Sequence, residues 1–165
     1  MCPCKMSAVL ILHNIRSVHN VGSIVRTADA AGVDKIFLCG YTPTPLDRFG
    51  RARGDFNKVS LGAEKTVAWE YNKTLAPVIK KLKKENFVIL AIEQHKNSTS
   101  LFNFKLPKNN SASWRIAILL GNEVRGISPA SLKHADAILE IPMRGKKESL
   151  NVSVAAGIAL FTLLH

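Results

Sequence analysis

The sequence contains no apolar run of the roughly 20 residues that a membrane-spanning helix needs. Its first six residues, M-C-P-C-K-M, also lack the apolar segment of a secretory signal peptide. Acidic residues are scarce, since 12 Asp and Glu stand against 23 Lys and Arg and leave a formal net charge of +11. So much positive charge favours a polyanionic partner, most simply nucleic acid. A merely basic surface is the alternative.

Cysteine is scarce as well. Cys2, Cys4 and Cys39 form an odd set without the spacing of a disulfide framework, which favours a reducing compartment, and we expect the cytoplasm. Cys2 and Cys4 could bind a metal, but no further Cys or His cluster completes a four-ligand set. The five histidines form no recognisable metal or triad pattern either. We therefore expect no metal and interpret residues 1–6 as a disordered tail.

Short apolar segments alternate with helical patterns along the chain. Strands are predicted at residues 7–12, 35–39, 66–71, 87–92, 114–120 and 137–141. Helices are predicted at residues 21–31 and 74–85, from residue 129, and after Ser149 or Asn151 almost to the end. The length fits one domain, and the alternation predicts an α/β fold with a mostly parallel sheet and helices on both faces.

Residues 40–61 follow no regular pattern. They include Arg48, Arg51, Arg53 and Lys58. A loop of this length in a compact domain is usually functional or mobile. The cations favour a segment that contacts RNA, and a solvated basic loop is an equally good interpretation.

The stretch 137–164 suggests a site near the C-terminus. Its apolar segment ends at Pro142, a basic loop follows at 144–148, and Ser149 and Asn151 precede an apolar helical pattern. A strand, a polar loop and a capped helix start form sites at the carboxyl edge of α/β sheets. Ser149 or Asn151 could cap this helix. Taken alone, the stretch is better explained as an ordinary strand–loop–helix unit in which the polar residues only cap the helix.

Two further stretches favour the site. Residues 13–32 read H-N-I-R-S-V-H-N-V-G-S-I-V-R-T-A-D-A-A-G, and residues 116–127 read I-A-I-L-L-G-N-E-V-R-G-I. With the C-terminal stretch, they resemble in order the three motifs of the SpoU/TrmH branch of the SPOUT RNA methyltransferases. The matching residues are Asn20, Gly22, Arg26, Gly121, Asn122, Glu123, Gly126, Ile141, Pro142, Met143, Ser149, Leu150, Asn151 and Ser153. The resemblance covers nearly the whole chain.

For the fold, the resemblance implies a deep trefoil knot in the C-terminal half, with the last helix threaded through a loop. Pattern reasoning alone would not propose a knot, because true knots are very rare. It also implies one SPOUT methyltransferase domain over residues 1–165, a minimal member without a separate RNA-binding domain. Members are typically homodimers with the site close to the subunit interface.

For the cofactor, the resemblance implies S-adenosyl-L-methionine held in a bent form. No G-x-G-x-x-G follows the first strand, so a conventional Rossmann site is not supported. Gly121 and Gly126 allow close backbone approach, although ordinary turn glycines are the alternative. The residues implied to bind the cofactor are Ile92, Glu93, Leu120, Gly121, Asn122, Gly126, Ile141, Pro142, Met143, Ser149 and Leu150.

For the reaction, the resemblance implies methyl transfer to a ribose 2′-hydroxyl with Arg26 beside the acceptor. The hydroxyl needs alignment and a base, whereas the sulfonium methyl is already activated. Because guanidinium groups have pKa values above about 12, we interpret Arg26 as binding the target phosphate and stabilising the developing alkoxide. A phosphate oxygen or a transiently neutral Arg26 would take the proton.

The other predicted catalytic residues are polar side chains of the same motifs. Asn20 would orient Arg26 or the ribose, and Glu123 would hold Arg26 or another cation. Ser149 and Asn151 would hydrogen-bond to the acceptor or to the cofactor carboxylate.

The implied substrate is structured RNA, and a compact enzyme favours tRNA over ribosomal RNA. Two other functions stay open. One is a catalytically silent RNA-binding module on the same fold. The other is an unrelated α/β enzyme that binds a nucleotide phosphate at 121–126. Binding of S-adenosylhomocysteine rather than ATP would favour the methyltransferase over both of these functions.

Overall fold

A parallel β-sheet forms the centre of the protein. The computed structural model describes residues 6–106 and 114–165, so the predicted tail, with Cys2 and Cys4, lies almost entirely outside the described residues. Within them the strands are β1 Ser7–His13, β2 Lys35–Cys39, β3 Ala68–Asn72, β4 Val88–Ile92, β5 Thr99–Ser100, β6 Arg115–Leu120 and β7 Ala137–Glu140. Their order is β3-β2-β1-β6-β4-β7-β5, and each pair is parallel.

Helices cover both faces of this sheet. They are α1 Val18–Ala30, α2 Gly54–Ser60, α3 Leu75–Lys84, α4 Pro129–Leu132 and α5 Val152–Leu164, with 3₁₀ turns at Ala63–Lys65 and Leu101–Asn103. Successive strand residues point to opposite faces, so Leu10 and Leu12 pack with α1, α2 and α5, whereas Val9 and Ile11 pack with α3. The predicted α/β fold, with a mostly parallel sheet and helices on both faces, is confirmed.

Two elements differ from the sequence prediction. Helix α2 lies inside 40–61, which was predicted to be irregular, and it buries only Phe56 and Ser60. Two buried positions in seven residues are too few to give a helical period. Strand β5 is two residues long, too short for any alternation to show.

The sheet topology brings four chain segments to one place. Strands β1, β6, β4 and β7 are consecutive neighbours, and all run in the same direction. The segments that follow their carboxyl ends, beginning at residues 14, 121, 93 and 141, therefore meet at one edge of the sheet.

The long apolar helix α5 packs against α1 on one face of the sheet. Its threading through a loop, implied by the resemblance, stays a prediction. Among the described residues, no helix is long and apolar enough to span a membrane.

Candidate active site

A cavity of about 210 Å³ opens at the carboxyl edge where β4, β6 and β7 end. It is lined by Ile92, Glu93, Gln94, Leu120, Gly121, Asn122, Glu123, Val124, Gly126, Ile141, Met143, Ser149, Leu150, Val152 and Ala155. The structure thus brings together every residue predicted to bind the cofactor, except that Pro142 is not among the described lining residues. Residues from the ends of β4, β6 and β7 and from the segments that follow them share one concave surface.

The loop after β6 approaches itself closely because two positions carry no side chain. The amide of Gly126 donates to the Asn122 carbonyl at 2.9 Å, and the amide of Asn122 donates back to the Gly126 carbonyl at 3.2 Å. A Cβ atom on Gly121 would lie 2.7 Å from the Gly126 carbonyl carbon. At Gly126, φ is +63°, and a Cβ would collide with the Glu93 carboxylate. Both glycines are therefore required by the geometry.

The Asn122 side chain is buried and fixes this loop from within. Its Nδ2 donates to the Asn14 carbonyl at 2.9 Å and to the Tyr41 hydroxyl at 3.0 Å. Its Oδ1 accepts from the amides of Val124, at 2.9 Å, and Arg125, at 2.8 Å. Both polar atoms of the Asn122 side chain are used by the protein, so this side chain positions the loop.

Two residues after β4 tie the three loops together. The Glu93 carboxylate accepts from the Ile127 amide at 2.7 Å and from the Gln94 amide at 3.0 Å. The Gln94 Nε2 donates to the Glu148 carbonyl at 2.6 Å, in the basic loop after β7. Glu93 was predicted as a wall of the site. Gln94 was missed, although its position directly after a predicted buried strand and Glu93 was a usable signal.

The Glu123 carboxylate anchors the start of α1. It accepts from the backbone amides of Arg16 at 2.9 Å and Ser17 at 3.0 Å, and from the Asn20 Nδ2 at 3.0 Å. Glu123 therefore holds free amides at a helix start, where a negative charge is favoured. This corrects the expectation that Glu123 holds Arg26 or another cation.

The ionisation of Glu123 reflects the same contacts. Burial opposes the charged form, but the hydrogen bonds from Arg16, Asn20 and Ser17 outweigh it and lower the pKa of Glu123 below its ordinary 4.5. The carboxylate is thus ionised at neutral pH, and its hydrogen bonds stabilise the junction between β6 and α1.

Asn20 connects Glu123 to the start of the last helix. Its Oδ1 accepts from the Asn151 Nδ2 at 3.1 Å. The Asn151 Oδ1 accepts from the amide and hydroxyl of Ser153, at 2.8 and 2.7 Å, which caps α5. Of the two predicted caps, Asn151 is therefore the one used, and Ser149 instead lines the cavity.

Arg26 lies further along α1 than Asn20, and its side chain is exposed. No ion pair joins it to any described residue. Asn20 is hydrogen-bonded to Glu123 and Asn151, so it does not orient Arg26 in this structure. The structure thus brings Asn20, Glu123, Ser149 and Asn151 to one edge, and within residues 6–106 and 114–165 it gives the Arg26 guanidinium no ion-pair partner.

We expect Glu123→Gln to lower the free energy of unfolding by about 1.5 kcal/mol at pH 7, because hydrogen bonds to a charged group are lost. The folded-state pKa lies below 4.5, so the stabilisation is full above that pH and disappears as the pH falls through the folded-state pKa. Denaturant unfolding of both proteins at several pH values measures this difference. Glu148→Gln, at an exposed carboxylate, is the control and should change nothing. A difference that persists unchanged in acid would contradict the assignment.

Comparison with known proteins identifies the family of this chain. Residues 7–161 match the SpoU rRNA Methylase family. The chain belongs to this SpoU family. The match covers all three motifs, from Asn20 to Ser153.

Curated relatives of this SpoU-family chain include 23S rRNA (guanosine-2'-O-)-methyltransferases RlmB. The one from Salmonella typhi is 35% identical over 153 residues, which is 93% of this chain and 58% of the relative. The one from Neisseria meningitidis serogroup B is 35% identical over 152 residues, which is 92% of this chain and 56% of the relative. The chain therefore spans less than three fifths of the length of these relatives.

Solved structures share the fold. An AdoMet-bound rRNA methyltransferase from Sinorhizobium meliloti is 24% identical with a TM-score of 0.81, covering 98% of this chain and 57% of that one. A TrmH/SpoU tRNA modifying enzyme from A. aeolicus is 28% identical with a TM-score of 0.78, covering 94% of this chain and 73% of that one.

Proposed function

We propose that this protein transfers the methyl group of S-adenosyl-L-methionine to a ribose 2′-hydroxyl of RNA. The observation that carries the proposal is that the residues predicted to bind the cofactor, from three separate parts of the chain, line one cavity, with Pro142 the exception. The RlmB relatives, which are guanosine-2'-O-methyltransferases, and the AdoMet-bound Sinorhizobium meliloti structure support it. The net charge of +11 suits an RNA substrate.

The cavity residues fit S-adenosyl-L-methionine. Leu120, Ile141, Met143 and Leu150 supply apolar walls for an adenine ring. The cofactor would supply a methyl group that is already activated. The protein's own residues then have to hold the acceptor in line and manage its proton.

We propose that Arg26 binds the phosphate of the target nucleotide and stabilises the developing alkoxide. The guanidinium is exposed and makes no ion pair with a described residue, so it is available to an incoming phosphate. The Ser149 hydroxyl, in the cavity, would contact the cofactor or the acceptor. Asn20 and Asn151 would act as positioning residues, because each is already hydrogen-bonded to protein.

For the substrate class we propose ribosomal RNA. The names of the RlmB relatives favour it over the tRNA that was expected from the sequence. tRNA stays the second candidate, because the A. aeolicus neighbour is a tRNA modifying enzyme. The cytoplasm, expected from the few cysteines, stays a prediction.

The test uses purified protein, methyl-labelled S-adenosylmethionine, and separate pools of unmodified ribosomal RNA and tRNA. The RNA is digested and its nucleosides are separated. We expect a labelled 2′-O-methyl nucleoside from the ribosomal pool. Label only in the tRNA pool would overturn the substrate class, and label on a base would overturn the acceptor.

The two other functions have less support. A silent RNA-binding module is disfavoured because Arg26, Glu123, Ser149 and Asn151 are all present. It would be favoured if the protein neither bound S-adenosylhomocysteine nor transferred label.

Phosphate binding at 121–126 is disfavoured by the loop's own hydrogen bonds. The amides of Asn122, Val124, Arg125 and Gly126 all donate within the loop and are not free for a phosphate. A thermal shift with ATP and none with S-adenosylhomocysteine would favour phosphate binding at 121–126 and contradict the methyltransferase proposal.

We also propose a homodimer, which the apolar surface of α5 supports. Val154 and Phe161 are both about half exposed on this helix, and exposed apolar surface of this kind marks interfaces. We expect the wild-type protein to sediment as a dimer and Phe161→Asp to sediment as a monomer, because a buried charge opposes association. Leu61→Asp, at an exposed leucine after α2, is the control. A monomeric wild type would contradict the proposal.

A further inference from the structure

A groove lined by aromatic side chains lies beside the candidate active site. Tyr41, Phe49 and Tyr71 are 57%, 65% and 49% exposed, and all three line it together with Arg48 and Arg53. We call these five residues the aromatic groove. Large rings that stay accessible in this number on one concave surface mark a binding site.

The charges around the groove favour an anionic ligand. The Arg48 guanidinium lies 4.7 Å from the centre of the Phe49 ring, and no carboxylate among the described residues pairs with it. Arg53 is paired with Asp55 at 2.9 Å. The remaining carboxylate, Asp47, is neutralised by its ion pair with Arg51, also at 2.9 Å. The groove therefore keeps a net positive charge next to its rings.

The groove is continuous with the candidate active site. Tyr41 also lines a second cavity, which contains Arg16 and Arg125. That cavity shares Asn122 and Val124 with the cavity proposed to hold the cofactor. The Tyr41 hydroxyl, which accepts a hydrogen bond from Asn122 at 3.0 Å, joins the two surfaces. A track of aromatic and cationic side chains thus runs from the groove to the site.

We propose that the aromatic groove holds an unpaired nucleotide of the substrate RNA, with its base stacked on Phe49 and Tyr41. Its phosphate would lie against Arg48, and Arg16 and Arg125 would contact the strand between the groove and the methylated nucleotide. Single-stranded nucleic acid is bound elsewhere by this combination of base-stacking rings and cations. The inference rests on the proposed function for the identity of the RNA and adds a subsite for a flanking nucleotide.

The test uses the protein with two fluorescein-labelled probes, a short oligouridylate and an RNA duplex of equal length, at one salt concentration. We expect Phe49→Ala to raise the Kd for oligouridylate by about tenfold, within the range found for loss of one base–aromatic stack. The Kd for the duplex should change by less than about twofold, because paired bases cannot stack on the ring.

Two matched variants sharpen the test. Phe49→Trp keeps a stacking surface, so it should bind oligouridylate like the wild type, and its added tryptophan fluorescence should be quenched on binding. Phe102→Ala removes another exposed phenylalanine outside the groove and should have no effect. Quenching together with wild-type affinity would support stacking directly.

The inference would be overturned by no binding of oligouridylate by the wild type, by equal losses of affinity for both probes in Phe49→Ala, or by a change of oligomeric state in Phe49→Ala, which would make the groove an interface between copies. S-adenosylhomocysteine binding, measured on the same proteins, separates the two proposals. Phe49-dependent probe binding without cofactor binding would keep the groove and remove the proposed function. Methyl transfer at the wild-type rate by Phe49→Ala would keep the proposed function and remove the groove.

Discussion

Arg26→Ala is expected to lower the rate of methyl transfer by about a thousandfold, the upper range for removal of one donor that stabilises a developing anion. Affinity for S-adenosylhomocysteine should stay within about twofold of the wild type, because Arg26 is not among the residues that line the cofactor cavity. Single-turnover transfer with labelled cofactor and the reactive RNA pool gives the rate, and calorimetry gives the affinity.

Two variants serve as controls for this result. Arg26→Lys keeps the charge but loses the planar pair of donors, so we expect an intermediate rate. Arg115→Ala removes an exposed arginine at the amino end of β6, the opposite edge of the sheet, and should leave transfer unchanged. Full turnover by Arg26→Ala would show that another residue contacts the acceptor phosphate. A loss of cofactor affinity as large as the loss of rate would show that Arg26 shapes the cavity.

Most of the sheet could be predicted from the sequence because β1, β2, β4 and β6 are locally apolar. β6, R-I-A-I-L-L, is buried at all but its first residue, so both faces had to be apolar and the segment stands out. β5 and α2 lack that signal. β5 is held by pairing with β7, and α2 by packing of Phe56, and neither contact is visible within a local window of sequence.

The residues of the site could be predicted from the sequence, but their hydrogen-bond partners could not. The motifs located the cavity wall from Gly121 to Leu150. The partners of Glu123 were not predictable, because Arg16 and Asn20 lie more than one hundred positions away and are backbone and amide groups rather than the expected cation. A carboxylate beside arginine-rich motifs suggests an ion pair, whereas the folded chain gives it the free amides at a helix start.

The aromatic groove was hidden for a related reason. Its cations were visible within 40–61, and they allowed a solvated loop as readily as a binding surface. Tyr71 comes from the end of β3, and Tyr41 follows β2, so the concave arrangement depends on the pairing of these two strands. The parallel register sets Cys39 opposite Asn72 and so brings the two tyrosines to one edge.

Gly121→Val is expected to abolish measurable binding of S-adenosylhomocysteine. A Cβ at this position would lie 2.6 Å from the Ile127 Cγ1 and 2.8 Å from the Gly126 carbonyl oxygen. The Ile127 side chain could turn away, but the Gly126 backbone is held by its two hydrogen bonds to Asn122, so the whole loop must move. That movement would carry the cavity wall with it. Overpacking of this kind costs about 1 to 3 kcal/mol, which a folded domain can tolerate.

Loss of binding must be separated from loss of the fold, and the chain offers a matched glycine for this purpose. Gly54→Val adds the same side chain at a position where a Cβ would have no heavy atom within 4 Å outside its chain neighbours and its own helix backbone, and it should leave both the affinity and the melting temperature near wild type. For Gly121→Val we expect a folded protein by circular dichroism, a Tm lowered by several degrees, and no calorimetric heat with S-adenosylhomocysteine. If the variant bound the ligand with wild-type affinity, the loop from Gly121 to Gly126 would not form the cofactor wall. Arg26→Ala should keep cofactor binding, whereas Gly121→Val should lose it. Together, the two variants would assign methyl transfer to Arg26 and cofactor binding to the loop that begins at Gly121.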